Sequence, residues 1–169
     1  RAKNPGEKNA DGGKGWRGIP GKLTNISASN KDYVFGVNRS GHIYQCKKPC
    51  KGGWQNMEGE LKQISGGQNY VYGVNIHNNI YRARLPITNL RNPQWYRIPG
   101  SLKWINASNK DYIYGTNRLD DIYVCQKPCT GGWKQISGGL EAIEADKDTV
   151  YGTNRDRTIW SKPMDGMKA

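Results

Sequence analysis

Phenylalanine occurs once and histidine twice in the 169 residues, and only 35% of the chain is hydrophobic. Apolar runs are three or four residues long, against the roughly 18 or more that a membrane-spanning helix needs, so no such helix is expected. No window of about 12 residues carries an apolar stripe at helical spacing, which argues against long helices. Acidic residues are also scarce: 14 Asp and Glu stand against 26 Lys and Arg, a formal charge of +12. That imbalance favours polyanionic partners such as nucleic acid, anionic lipid or acidic glycans. It is concentrated in residues 1–51, which carry +8, while residues 52–130 carry +4 and residues 131–169 are neutral.

The sequence is rich in turn formers, with 22 Gly and 8 Pro, and in aromatics with a polar handle, 10 Tyr and 6 Trp. Each buried Tyr or Trp needs a partner for its O–H or N–H. Together these features predict an all-β protein of short strands joined by tight turns. The chain begins at Arg1 with no apolar leader ahead of it, which reads as a processed product.

An internal repeat sets the architecture. Trp16, Trp54, Trp95 and Trp133 are followed in register by Gly36, Gly73, Gly115 and Gly152, each two positions before Asn38, Asn75, Asn117 or Asn154. Shifting the sequence by 79 residues aligns 16–81 on 95–160 without a gap, with 32 of 66 positions identical. The chain is a duplicated pair of repeats. The first copy reads as strands at Trp16–Ile19, Leu23–Ser29, Tyr33–Val37 and His42–Gln45, with Leu23, Ile26, Val34 and Ile43 facing inward. A unit of about 40 residues with four strands, repeated in tandem, predicts propeller blades, because one small sheet cannot bury both faces alone. Residues 1–14 read as a tail. Residues 15–169 read as one β-propeller of four repeats, about 15–51, 52–92, 93–130 and 131–169, with four antiparallel strands per blade.

The pattern W-x-x-I-x-G-x-L-x-x-I, followed by V-Y-G-V/T-N-x-x-x-x-I-Y, resembles the tectonin repeat. The span 16–160 is similar to the fish-egg lectin and tachylectin group of secreted tectonin-type lectins. Two positions depart from the pattern, Phe35 before Gly36 and Trp160 after Ile159. The resemblance implies a β-propeller that binds N-acetylglucosamine- or galactose-type sugars or bacterial lipopolysaccharide multivalently, in innate defence by agglutination. Its partners would be bacterial surface glycans, with no membrane insertion and a possible homo-oligomer. Family members usually have five or six repeats. Arg1-Ala2-Lys3 also resembles Arg82-Ala83-Arg84, as though a repeat began after its last strand. A four-bladed ring and part of a longer propeller both fit, and the ring is the favoured expectation.

Four cysteines stand as Cys46-x-x-x-Cys50 and Cys125-x-x-x-Cys129, 79 residues apart. Local disulfides, each pinning a connecting loop, are expected; a zinc site is the competing reading, weakened by the spacing and by the separation of the pairs around a ring. Disulfides would imply an oxidising, extracellular setting. The loop Asn30-Lys31-Asp32-Tyr33, repeated as Asn109-Lys110-Asp111-Tyr112, offers amide, ammonium, carboxylate and phenol to vicinal hydroxyls and a ring face, as a shallow sugar site requires; a solvated turn is the plainer reading. Arg39, Arg118 and Arg155 follow the turn asparagines on the opposite face, where they could meet phosphate or carboxylate. The turn asparagines and the repeat-opening tryptophans read mainly as structural, while Trp104, with no repeat equivalent, is either packing or a private binding surface.

Catalysis has no support. His42 and His77 fall at different repeat positions, and Glu141, Glu144, Asp146 and Asp148 share one strand and loop instead of facing each other across a cleft. No enzyme activity, cofactor or metal is expected. The alternative to a lectin is a basic polyanion- or nucleic-acid-binding protein, weakened by the lack of a Lys/Arg stripe on any strand.

Overall fold

A computed structural model describes residues 18–164. They form 15 strands in four antiparallel sheets and no α-helix. Blade 1 contains β1 (Asn25–Ser27), β2 (Tyr33–Val37), β3 (His42–Lys47) and β4 (Gln55–Glu60). Blade 2 contains β5 (Gln63–Gly66), β6 (Tyr70–Val74), β7 (Asn79–Arg84) and β8 (Tyr96–Ser101). Blade 3 contains β9 (Trp104–Asn106), β10 (Tyr112–Thr116), β11 (Asp121–Gln126) and β12 (Lys134–Gly139). Blade 4 contains β13 (Ala142–Ala145), β14 (Thr149–Thr153) and β15 (Ile159–Pro163). Every sheet is a simple meander in chain order, and the whole is a β-propeller of four blades.

The sheets are offset from the sequence repeats. The strand after each repeat-opening Trp is the outermost strand of the preceding blade: the segments after Trp54, Trp95 and Trp133 are β4, β8 and β12. The reason is register. Met57 lies opposite Ile43, Ile98 opposite Ile80, and Ile136 opposite Ile122, so an apolar residue three places after each Trp completes the blade before it. The strand expected at Leu23–Ser29 shrinks to Asn25–Ser27, and blade 4 has three strands among the described residues. Trp16 and the tail at 1–14 lie outside the described residues.

The core is made of pieces shared between neighbouring blades. Leu23, Leu61, Leu102 and Leu140 press on Gly36, Gly73, Gly115 and Gly152, where any Cβ would collide with a leucine methyl. This explains the invariance of both residue types in the repeat. Phe35 packs on Gly66 of the next blade, Tyr72 joins a cluster with Ala107, and Tyr114 one with Ala145. Burial raises the Tyr114 phenol to about 12 and the Tyr72 phenol higher still. Polar side chains on each inner strand satisfy backbone N–H groups of the next blade. Ile64 and Gly66 donate to Asn25 Oδ1 and Ser27 Oγ, both at 2.9 Å. Ile105 and Ala107 donate to Gln63 Oε1 and Ser65 Oγ at 2.9 and 2.8 Å. Ala145 donates to Asn106 Oδ1 at 3.1 Å.

Broad strand packing joins blade 1 to 2, 2 to 3 and 3 to 4, and stops there among the described residues. Among the described residues the four blades thus form an arc, with no broad strand packing between blade 4 and blade 1. Of the residues expected to face inward, Ile43 is fully buried, Leu23 and Val34 are half-buried, and Ile26 is 58% exposed. The repeat equivalents of Ile26, Ile64, Ile105 and Ile143, are each at most 1% exposed because a preceding blade covers them. Among the described residues no preceding blade covers Ile26.

Candidate functional site

The β1–β2 and β9–β10 loops lie beside the disulfide loops. Cys46 is bonded to Cys50 and Cys125 to Cys129, with Cα atoms 5.3 and 5.4 Å apart. Each bridge closes the loop after the third strand of its blade, and that loop leans on its neighbour: Lys48 N–H donates to Asp32 O, and Lys127 N–H to Asp111 O, both at 2.8 Å. Two independent copies of the motif thus build the same pair of loops on the same face.

Asn30 and Asn109 organise these loops from beneath. They are 3% and 5% exposed. Asn30 Oδ1 accepts from the N–H of Asp32 and Tyr33, and its Nδ2 donates to Gly67 O of blade 2 at 2.8 Å. Asn109 repeats this with Asp111, Tyr112 and Asp146 O. The amide is therefore committed to the loop and to the next blade. Lys31, Asp32, Lys110 and Asp111 are exposed, and Tyr33 and Tyr112 are half-buried. Lys31 pairs with Asp32 at 2.8 Å, both side chains more than half exposed.

Beside each tyrosine is a recess. In blade 1, about 360 Å³ is lined by Tyr33, Lys47, Lys48, Lys51, Gly52 and Gln55, among others. In blade 3, about 320 Å³ is lined by the equivalents Tyr112, Gln126, Lys127, Thr130, Gly131 and Lys134, with Trp133 in the wall. The disulfide loop and the Gly-Gly pair shape each recess; sequence reasoning missed them as site residues, although Gly52-Gly53-Trp54 and Gly131-Gly132-Trp133 recur at the same 79-residue interval. Lys127 Nζ donates to the carbonyls of Ala107 and Asn109, as Lys48 Nζ does to Ala28 and Asn30. Burial pushes the Lys127 ammonium down to about 8, opposed by the Asp111 carboxylate.

The arginine turns are on the opposite face, between the second and third strands. Arg39 and Arg118 are exposed. Arg155 pairs with Asp120 at 2.5 Å and donates to Arg118 O, so it ties blade 4 to blade 3. Lys103 shares the same carboxylate, and hydrogen bonds from Lys103 and Arg155 hold Asp120 below the usual carboxylate range. Lys62 sits nearby, its pKa lowered first by burial and then by Lys103 and Arg118. The two groups of candidate residues do not converge on one site.

Trp95, Trp133 and Trp104 act as packing. Trp95 Nε1 donates to Glu58 O at 2.8 Å and Trp133 Nε1 to Pro99 O at 3.0 Å, each indole lying against a glycine, Gly59 or Gly100, with φ near +120°. Trp104 is half-buried between blades 3 and 4 and donates to Ile143 O. Asn38, Asn75, Asn117 and Asn154 cap their turns, each accepting backbone N–H bonds from the residues that follow. Among the described residues no cluster of His, Cys, Asp and Glu could hold a metal, and no helix is long and apolar enough to cross a membrane.

A family model described as the Tectonin domain matches residues 50–168. No curated protein matches the chain by sequence. Among solved structures, human WBSCR16 is 8% identical with a TM-score of 0.66 over 89% of this chain and 50% of its own. The computationally designed Ika4 protein is 16% identical with a TM-score of 0.62 over 88% of this chain and 95% of its own. U3-55K is 11% identical with a TM-score of 0.63 over 90% of this chain and 52% of its own. The chain thus spans about half the length of WBSCR16 and U3-55K and nearly all of the designed protein, and the likeness is one of fold.

Proposed function

The chain belongs to the tectonin domain family, and we propose that it is a secreted, multivalent lectin for N-acetylglucosamine- or galactose-type sugars, including those of bacterial lipopolysaccharide. The observation that carries this reading is the pair of matching recesses in blades 1 and 3, on one face of a rigid arc. A half-buried tyrosine beside each recess supplies the apolar ring on which the C–H face of a pyranose rests. Lys31 with Asp32, and Lys110 with Asp111, stand at the loop head and offer donor and acceptor to paired hydroxyls. Asn30 and Asn109 hold those loops in shape, so they are positioning residues in this reading. The two disulfides fit an extracellular setting.

Each recess is shallow and open, so single-site affinity is weak. Two sites on one arc convert the second contact into an intramolecular one, with a gain of about 10² to 10⁴ in avidity on a repetitive glycan surface. Replacing Asp32 and Asp111 together by Ala is expected to abolish agglutination of bacteria while each single change only weakens it, with circular dichroism unchanged. Agglutination by the double variant at the parental level would remove this face as the site.

A second reading has its own support on the opposite face. Burial lowers the Lys62 pKa and the nearby charges of Lys103 and Arg118 lower it further, so an anion there would relieve the repulsion. This favours a polyanion or phosphate partner for that face. A glycan array at low and high salt separates the two, because phosphate contacts weaken steeply with salt and a neutral sugar hardly responds.

A further inference from the structure

On the face of the arginine turns, the same three repeat positions recur at each junction between neighbouring blades. They are the residue after the packing leucine, the positive-φ residue of the turn before the third strand, and the residue after the turn asparagine of the next blade. Between blades 3 and 4 these are Lys103, Asp120 and Arg155, and the Asp120 carboxylate accepts from both cations. Between blades 2 and 3 they are Lys62, Asn78 and Arg118, and between blades 1 and 2 they are Thr24, Gly41 and Ile76. Backbone hydrogen bonds fix the equivalence. Lys62 and Lys103 donate N–H to Val74 O and Thr116 O, both at 2.8 Å, while Leu102 and Leu140 donate to Asn78 O and Asp120 O at 3.0 and 2.9 Å. Asn78 and Asp120 share one backbone conformation, with φ of 62° and 68°.

The three junctions differ in charge. Between blades 1 and 2 the three positions are uncharged and border a cavity of about 390 Å³, with Glu60 and Lys62 also in its wall. Between blades 3 and 4 two cations share one carboxylate, and their hydrogen bonds hold it below the usual carboxylate range. Between blades 2 and 3 both cations remain and the carboxylate is gone. Lys62 Nζ donates to Asn78 Oδ1 at 2.5 Å, as Lys103 does to Asp120, but that oxygen carries no charge. Asn78 Nδ2 stands where Asp120 has its second oxygen. Among the described residues this N–H₂ has no acceptor, and neither Lys62 nor Arg118 forms an ion pair. Burial first, and then the charges of Lys103 and Arg118, lowers the Lys62 pKa, which places the Arg118 charge within reach of Lys62.

Resting on the reading of this face as anion-binding, we propose that Lys62, Asn78 and Arg118 bind the carboxylate of an external ligand, which takes the part that Asp120 plays at the next junction. An ammonium, an amide N–H and a guanidinium supply the donors, and charge-assisted hydrogen bonds of this kind are about twice as strong as neutral ones. A carboxylate is favoured over a phosphate because one carboxylate between a lysine and an arginine is the arrangement the fold already closes between blades 3 and 4. Arg118 is exposed and Lys62 and Asn78 are half-buried, so the ligand is held at the rim and reached from solvent.

Titration of the isotope-labelled chain at low salt with acetate, glucuronate, glucose and inorganic phosphate tests this by NMR. Acetate and glucuronate are expected to shift the amide signals of Asn78 and Arg118 with one equivalent bound, and glucose is not. Tighter binding of glucuronate than of acetate would identify an acidic sugar as the source; equal binding would identify the carboxylate alone. Asn78→Asp supplies the carboxylate from within. Since Asp120 already adopts the same φ, this variant should fold, raise the thermal midpoint and weaken binding about tenfold or more. Asp120→Asn is the converse and should add a second equivalent between Lys103 and Arg155. Phosphate binding without carboxylate binding would overturn the proposal and leave the anion-binding reading of the face standing, whereas binding of neither would remove both. Parental binding by Asn78→Asp, or no second equivalent in a folded Asp120→Asn variant, would also overturn it.

Discussion

Ile26 and Ile105 occupy the same place in two copies of one motif, yet Ile26 is 58% exposed and Ile105 is fully buried. Ala28 and Ala107 differ in the same way, and Lys48 is exposed where Lys127 is half-buried. The loops, the disulfides and the turn hydrogen bonds around them are otherwise the same in blades 1 and 3. Local sequence therefore sets local geometry, while the neighbour in the arc sets burial. Among the described residues, blade 3 has a predecessor and blade 1 has none.

The largest expected effect breaks this pair directly. Ile105→Ala removes a fully buried side chain from the junction of blades 2 and 3 and should cost about 2–5 kcal/mol of stability. Ile26→Ala should change stability by no more than about 0.5 kcal/mol, the usual range for an exposed site. Urea unfolding of both variants measures the contrast. Equal losses would mean that Ile26 is covered in solution.

The contrast also shows what was legible beforehand. The repeat period, the all-β class, the disulfide pairs and the turn asparagines followed from residue identity, because each depends on contacts within one blade. The offset between repeats and sheets did not. Period-two alternation cannot tell whether the strand after Trp54 closes its own blade or the one before, and the decision rests on Met57 meeting Ile43. The commitment of Asn30 was hidden for the same reason. Its partners at Gly67 and Gln68 are 37 and 38 residues away and belong to the next blade. The recess beside each tyrosine required the disulfide loop to fold back over it, which spacing alone does not reveal.

A middle-sized effect sharpens the comparison at the lysines. Lys127→Met leaves the Ala107 and Asn109 carbonyls without their donor in a half-buried site and should cost about 1–2 kcal/mol. Lys48→Met should cost less, since water reaches the carbonyls of Ala28 and Asn30 once the exposed side chain is gone. The pH dependence of Lys127 has a definite sign. Its folded pKa of about 8 lies below the ordinary 10.5, so the unfolded chain binds the proton more tightly between those values. Stability should therefore rise as pH increases from about 8 towards 10.5, and the cost of the buried charge should be fully present below 8. Lys127→Met should lack that rise. Parallel pH profiles for the two proteins would show that the ammonium is solvated and not buried.

The smallest effect separates stability from recognition. Lys31 and Asp32 form an ion pair with side chains 77% and 52% exposed, the kind of contact that water and salt reduce to a few tenths of a kcal/mol. Lys31→Ala should therefore leave the thermal midpoint almost where it was, and Lys110→Ala, at the equivalent exposed position, should do the same. If the loop heads bind sugar, both changes nonetheless weaken agglutination, because the lost ammonium served the ligand and not the fold. A variant that loses stability in step with agglutination would show the reverse, that the loop head packs on the disulfide loop through its side chains. The comparison of blades then gains its functional half: burial differs between the copies because their neighbours differ, whereas the exposed loop heads keep the same Lys-Asp-Tyr sequence and the same loop frame in both and should respond alike.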